Sequence, residues 1–412
     1  MDDLDALRGL RTALAEEESP DRLAERVEWR RAVPARRRRA GMRLPLLSAA
    51  AAGVVAAGAV AVLALPHGGA RAPSGGTAAP PVTGRAALLV AATSAAKAPG
   101  GAYWHYRRTW GDVFGVGKTR AAFYKVDSRQ VFEAWLDRNG NQGARQAGPV
   151  GRPLTAADAA RWRADGAKHM VPVYEEGLNA FVEMGDLPAL RPWPPLGKAD
   201  TFNGLTAAQI AALPTEPGAL RDRLLHLRGS WRAVEKKAAA YPIGELRGTD
   251  RVRALTQVAG DLLSTWPAPP GVRAAAFRML AALPGVEAGG TGTDPLGRSG
   301  TVVSLPVAST VELGLHSAPV QLGSYRREWV IDPAKGALLA IQDRMVAPPR
   351  GSRKMPPGDD GKPRSLRAKD MPERFFAPGD LTGYQVFEDT GWTDGPPPVK
   401  VGGGKRVVSP RR

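Results

Sequence analysis

Residues 273–305 read RAAAFRMLAALPGVEAGGTGTDPLGRSGTVVSL, and a change of period inside that stretch decides the fold class. Counting from Val272, the residues Ala275, Ala276, Met279, Leu280 and Leu283 recur at helical spacing and form one apolar face. Pro284-Gly285 stops that helix. Val286–Thr293 and Gly300–Leu305 then read as strands around Asp294-Pro295-Leu296-Gly297, a turn begun by an aspartate that accepts backbone N–H groups. Strands joined by so short a link are antiparallel. A helix leading into a hairpin points to an α+β domain.

The same alternation of signals extends outward. Upstream, Val252, Leu255, Val258, Leu262 and Leu263 share one face of another helix, and Pro267–Gly271 separates the two helices. Downstream, Glu312–Leu315, Arg327–Ile331 and Ala337–Gln342 read as further strands, the last two joined by the turn Asp332-Pro333-Ala334-Lys335-Gly336. Nearer the N-terminus, Arg85–Lys97 reads as a helix. Ala102–Trp110 (AYWHYRRTW) reads as a strand followed by a glycine turn, and Arg120–Asp127 and Arg129–Asp137 as two more strands before a turn at Asn139-Gly140. Thr155 and Thr206 are N-cap residues, the latter with Gln209 completing a capping box. Pro188–Pro195 reads as an extended connector. Met345–Arg374 is rich in Pro, Gly and charge and reads as a mobile loop, and Gly395–Arg412 as a disordered basic tail.

Ahead of this region the composition changes. The chain has 412 residues, a formal net charge of +17 and no cysteine, which removes disulfides, thiolate nucleophiles and cysteine-held zinc or iron–sulfur sites. Its 48 glycines and 37 prolines imply much loop and linker. Residues 1–43 form a charged tail that is acidic and leucine-bearing at first and then carries Arg36, Arg37, Arg38, Arg39 and Arg43 with no acid among them. Leu44–Leu65 follows as 22 uncharged residues. At about 1.5 Å per residue that helix reaches across a hydrocarbon core of about 30 Å. Residues 44–66 therefore read as one transmembrane helix. The arginine cluster places the N-terminus in the cytoplasm and everything beyond the span outside, in a single-pass protein of the cell membrane. Beside a span the arginines read as topogenic, so direct nucleic-acid binding is not expected. Residues 67–84 form a flexible linker, 85–346 an extracytoplasmic α+β domain, and 347–412 a loop-rich C-terminal segment.

No catalytic motif survives inspection. Gly111–Thr119 (GDVFGVGKT) approaches a phosphate loop, but the position five residues before Gly117 needs glycine and holds Asp112. Ser94-Ala95-Ala96-Lys97 matches the Ser-x-x-Lys of penicillin-recognising enzymes without the partner motifs that chemistry uses. The histidines His67, His105, His169, His226 and His316 are too scattered to suggest a metal site. The expectation is therefore no enzyme, cofactor or metal, and Tyr103, Trp104, Tyr106 and Trp110 stand out instead as candidates to line a ligand groove.

The runs Arg273–Leu305 and REWVIDPAKGALLAIQ (Arg327–Gln342), with LPTEPGALRDRLL (Leu213–Leu225) and GWTDGPPP (Gly391–Pro398), resemble an actinobacterial single-pass membrane-protein family of unknown function. The order of acidic tail, arginine cluster, alanine-rich span and linker is similar as well. Members are often encoded beside sigma factors of the extracytoplasmic-function class, which implies a signalling link. The hairpin around IDPAKG also resembles lipoprotein-carrier and sigma-regulator sensor domains, which implies a curved antiparallel sheet packed with helices. Two functions follow as expectations. One is an envelope sensor or regulator whose tail binds a cytoplasmic partner such as a sigma factor. The alternative is a tethered extracytoplasmic carrier that holds a lipid or wall polymer.

Overall fold

The computed structural model describes residues 83–175, 178–193, 202–229, 241–283, 285–304, 322–355 and 363–402. The charged tail expected in the cytoplasm, with Arg36–Arg39 and Arg43, the expected membrane span, most of the expected linker, the strand expected at Glu312–Leu315 and residues 403–412 lie outside them. Among the described residues no helix is long and apolar enough to cross a membrane.

Thr83 opens the domain by accepting the Ala86 N–H at the start of helix α1, Gly84–Ala95. Two long strands follow, β1 (Tyr103–Val116) and β2 (Tyr124–Asp137), paired without a register shift over their whole length. The turn expected after Trp110 is not there. Gly111 stays in the strand, since a side chain at that position would collide with the ring of Tyr384, and the chain turns only beyond Val116. Likewise the two strands expected around Ser128 are one. The Asn139-Gly140 turn leads to β3 (Gln142–Pro153), which glycine and proline disguise as loop.

Helix α2 (Ala156–Ala164) starts from a Thr155–Asp158 capping box. The hairpin of β4 (Met170–Glu175) and β5 (Leu178–Glu183) follows, also unforeseen, and the connector at Arg191–Pro192 pairs with β3 as the short strand β6. Next come α3 (Ala207–Ala211), capped by Thr206 and Gln209 as expected, and α4 (Pro217–Leu224), with the two-residue strands β7 (Arg228–Gly229) and β8 (Tyr241–Pro242) after it. The two expected long helices are α5 (Gly248–Ser264) and α6 (Pro270–Ala281). The four strands after them are β9 (Glu287–Thr293), β10 (Ser299–Ser304), β11 (Ser324–Asp332) and β12 (Ala337–Ala347). The stretch expected to be a mobile loop instead contains the hairpin of β13 (Ser352–Met355) and β14 (Arg364–Arg367) and two short 3-10 turns. Last comes β15, Leu381–Thr393.

These strands build a curved sheet in the order β6-β3-β2-β1-β15-β12-β11-β10-β9, antiparallel at every pairing. β15 therefore sits between β1 and β12, although the sequence places it in the segment set apart as loop-rich. The following residues are fastened as well, with the Gly402 N–H donating to the Gln142 carbonyl at 3.4 Å.

Helices α1, α5 and α6 cover one face of the sheet. Gly260 of α5 lies against Trp329 and Ile341, and the core they share includes Leu88, Leu262, Leu263, Phe277, Leu280, Ile331, Leu338 and Phe387. Burying each large side chain contributes about 1.5–3 kcal/mol. Small residues on both helices, Ala87, Ala91 and Ala95 on α1 and Ala274–Ala276 on α6, let the axes approach closely. Gly336 is held at φ +61° against the last turn of α1, where a side chain would strike the helix backbone. Buried Arg273 ties these parts together. Its guanidinium carbon lies 5.3 Å from the Trp104 ring centre, and its Nη2 faces the carbonyls of Leu263 at the end of α5 (3.5 Å) and of Gly336 (3.4 Å).

Candidate functional site on the helix-bearing face

Successive residues of β1 point to opposite faces. Trp104, Tyr106, Arg108, Trp110, Asp112 and Phe114 share the helix-bearing face, because Phe387, opposite Arg108, belongs to the helix-packed core. Tyr103 lies on the other face with His105 and Arg107. The four aromatic residues expected to line one groove are thus divided. Trp104 (0% exposed) and Tyr106 (8%) are core residues, packed with Phe132, Ala134, Leu136 and Trp193. Of the four, Trp110 alone is half-buried on the helix-bearing side.

Around Trp110 the sheet surface changes from apolar to polar, and register aligns the residues in two rows. The first row crosses five strands as Gln130, Trp110, Gln385, Ile341 and Trp329. The second runs Ser128, Asp112, Gly383, Asp343 and Arg327. Arg108 lays its guanidinium 4.5 Å from the Trp110 ring centre, while its Nε is buried with no acceptor among the described residues. Arg327 donates through Nε and Nη2 to both oxygens of Asp343, each at 2.9 Å. Asp112 receives no hydrogen bond from the described residues. Burial pushes its carboxyl up to about 6, helped by the like charges of Asp343 and Asp127. Between Asp112 and Asp343 stands Gly383, which leaves the space between the two acids without a side chain. The chemistry on offer here is recognition: an unpaired carboxyl between aromatic neighbours, and a guanidinium spread on an indole.

The opposite face joins paired polar groups to a buried apolar patch of Val330, Ala340, Tyr384 and Val386. Glu133 is nearly buried and takes His105 Nε2 at 3.0 Å and Arg145 Nε at 2.6 Å. The His105 ring stacks on Trp135 at 4.7 Å. Thr109 and Arg107 both bond Glu388, the residue bulged out of β15, at 2.5 and 3.1 Å. Farther along, the Tyr384 hydroxyl donates to Asp127 Oδ1 at 2.9 Å, and Arg152 Nε reaches the other oxygen at 3.2 Å. These polar groups satisfy one another.

Ser94 and Lys97 lie at the C-terminal end of α1 without the neighbours an acylating serine needs. Among the described residues no three His, Asp or Glu side chains gather as a metal would require. Asp112 entered the sequence reading only as a failed phosphate-loop position. The signal for its role was the alternation Trp110-x-Asp112-x-Phe114, hidden by the glycines read as a turn. Comparison with family models, curated proteins and solved structures returns no match.

Proposed function

We propose that the chain is a non-catalytic, membrane-tethered regulator. Residues 44–66 hold it in the cell membrane with the N-terminus in the cytoplasm, the described domain lies outside, and the tail works with a cytoplasmic partner such as a sigma factor, a partner suggested by the sigma-factor genes that often neighbour members of the actinobacterial family it resembles. The observation that supports this reading is how the linker joins the domain. α1, the first element after the linker, is an integral part of the core. Its Ala87, Leu88, Ala91, Ala92 and Ala95 are fully buried, its first residue touches β9 at Glu287, and its last turn holds the Gly336 turn. A module that needs only tethering has no use for a tether built into its core, whereas a sensor must move its tether when the domain changes state. Such a sensor needs a signal ligand that binds one state more tightly than another.

The test is a native-membrane pull-down of the full chain beside a form lacking Met1–Ala40 but keeping the span. A sigma factor retained by the first and lost by the second is the expected result. A stoichiometric lipid kept by both, with no cytoplasmic partner, would replace this reading with the lipid carrier. That alternative wants an apolar groove, and two of the four aromatic residues expected to form one are packed inside the core.

A further inference from the structure

We infer that the β13–β14 hairpin and the turn between β1 and β2 form a basic docking surface for anionic phospholipid headgroups. This inference rests on the reading of residues 44–66 as a membrane span, and it adds which end of the domain faces the bilayer.

Charge comes first. Residues 350–369 hold seven Lys and Arg against two acids, Asp359 and Asp360. Arg350, Arg353, Lys354 and Lys369 are exposed, and so are Lys118 and Arg120 in the turn beyond Val116. None of these six forms an ion pair among the described residues. The acids that follow in the chain are taken elsewhere: Asp370 pairs with Arg367 at 2.5 Å, Asp380 with Lys125 at 2.8 Å, and Glu373 turns inward to the Gly115 N–H. The hairpin that carries the cations is itself fastened. Leu366 of β14 is fully buried beside Met371, Tyr174 and Leu322. The Ala368 N–H donates to the Gly351 carbonyl at 2.9 Å, and the Arg350 N–H to the Leu322 carbonyl at 3.2 Å. Cations held in solvent in this way gain by approaching a negative surface, as basic segments beside an anionic membrane do.

The occupant follows from where the chain enters. The hairpin lies at the end of the sheet where β11 starts, with Ser324 opposite Ala347. β1 stops at the same end, because Asp112 is level with Gly383 and Asp343 and the chain runs on from there to Val116. Helix α1 runs away from that end. Gly84 lies against Glu287, which is level through Ser304 with Glu328, halfway along β11, and the last turn of α1 reaches Gly336 beyond the far end of β11. The N-terminus of α1, where the expected linker of residues 67–84 joins, therefore points toward the basic end. A flexible chain of that length spans about 20–25 Å on average, which keeps the cations near the bilayer that anchors the chain. A soluble polyanion would match the charge and leave this placement without a reason.

The chain has no cysteine, so Ser352→Cys on the hairpin, or Asp389→Cys toward the opposite end of the sheet, takes a single dye. The full chain is reconstituted in nanodiscs that carry a headgroup quencher. The dye at position 352 is expected to be quenched at least twofold more in phosphatidylglycerol discs than in phosphatidylcholine discs. Raising the salt to about 0.5 M, where the Debye length falls to about 4 Å, should remove the difference. Joint Arg353→Glu, Lys354→Glu and Lys369→Glu substitution should remove it too, and the salt arm serves if that variant does not fold. The dye at position 389 should show no preference between the lipids. Equal quenching in both lipids, a difference that survives salt or charge reversal, or the same difference at position 389 overturns the inference. Inorganic polyphosphate that binds the labelled hairpin while phosphatidylglycerol does not would overturn it in favour of a soluble polyanion. Failure of the chain to enter nanodiscs counts against the span alone, and the dye then reads docking on vesicles added from outside, with the same outcomes.

Discussion

At the scale of single residues, Gly111 shows how one absent side chain can steer a reading. A glycine after an aromatic strand signals a turn, and that is what the sequence suggests. In the structure the absent side chain is filled by Tyr384, whose ring lies over Gly111 and whose hydroxyl reaches Asp127. Burial and that aspartate both raise the phenol's proton affinity, so it stays a neutral donor. Gly111→Ala should force the ring away and cost about 1–3 kcal/mol, as overpacking does. Tyr384→Phe should cost about 1 kcal/mol, the worth of one hydrogen bond, because Arg152 still holds Asp127. Urea unfolding of both variants checks the order, and a Gly111→Ala protein as stable as wild type would show that the ring is not wedged. Asp112 was illegible for a related reason. Its meaning depends on Gly383 and Asp343, which lie hundreds of residues away and reach it only through strand register.

At the scale of elements, local signals did well where they are strong. The apolar faces of α5 and α6 and the turns at Asp294 and Asp332 are all where periodicity and turn chemistry put them. Asp294 accepts from Leu296 N and Arg298 N at 2.9 Å each, the role expected of it. Thr155 and Thr206 cap α2 and α3 as read. Strands with weak patterns escaped. β3 carries three glycines and two prolines. β15 is interrupted by a bulge at Glu388, which breaks the alternation that would have revealed it. Its position gives a test. A chain ended at Ala347 keeps every strand of both half-sheets but loses the one that joins them, so it should show no cooperative thermal transition by circular dichroism. A sharp transition near that of the full chain would mean the halves hold together through the helices alone.

For the molecule as a whole, two acids with raised carboxyls tilt how stability responds to pH. The carboxyl of Asp112 is pushed up to about 6 and that of Glu373 to about 7, each chiefly by burial. Among the described residues Glu373 Oε2 has no partner, while its Oε1 takes the Gly115 N–H at 3.3 Å. Both groups release their protons near pH 4 when the chain is unfolded. Between about pH 4 and 7 the native state therefore binds more protons than the unfolded state, and stability falls as pH rises. The urea midpoint should be higher at pH 5 than at pH 8, and an Asp112→Asn, Glu373→Gln double variant should flatten that slope. A double variant with the wild-type slope would assign the titration to other groups. Sequence alone gives no access to this behaviour, since nothing local distinguishes these two acids from the exposed ones.

The place of β15 also has a consequence in time. Tyr103 pairs with Thr393, and the Ala102 N–H bonds Asp394 across 292 residues of chain. β1 is made early and its partner very late, so the edge of β1 that β15 covers has no partner strand until then. Long-range pairings of this kind close slowly, and bare strand edges invite the wrong neighbours. The seam between the two half-sheets can therefore close only after residues 381–393 have been made.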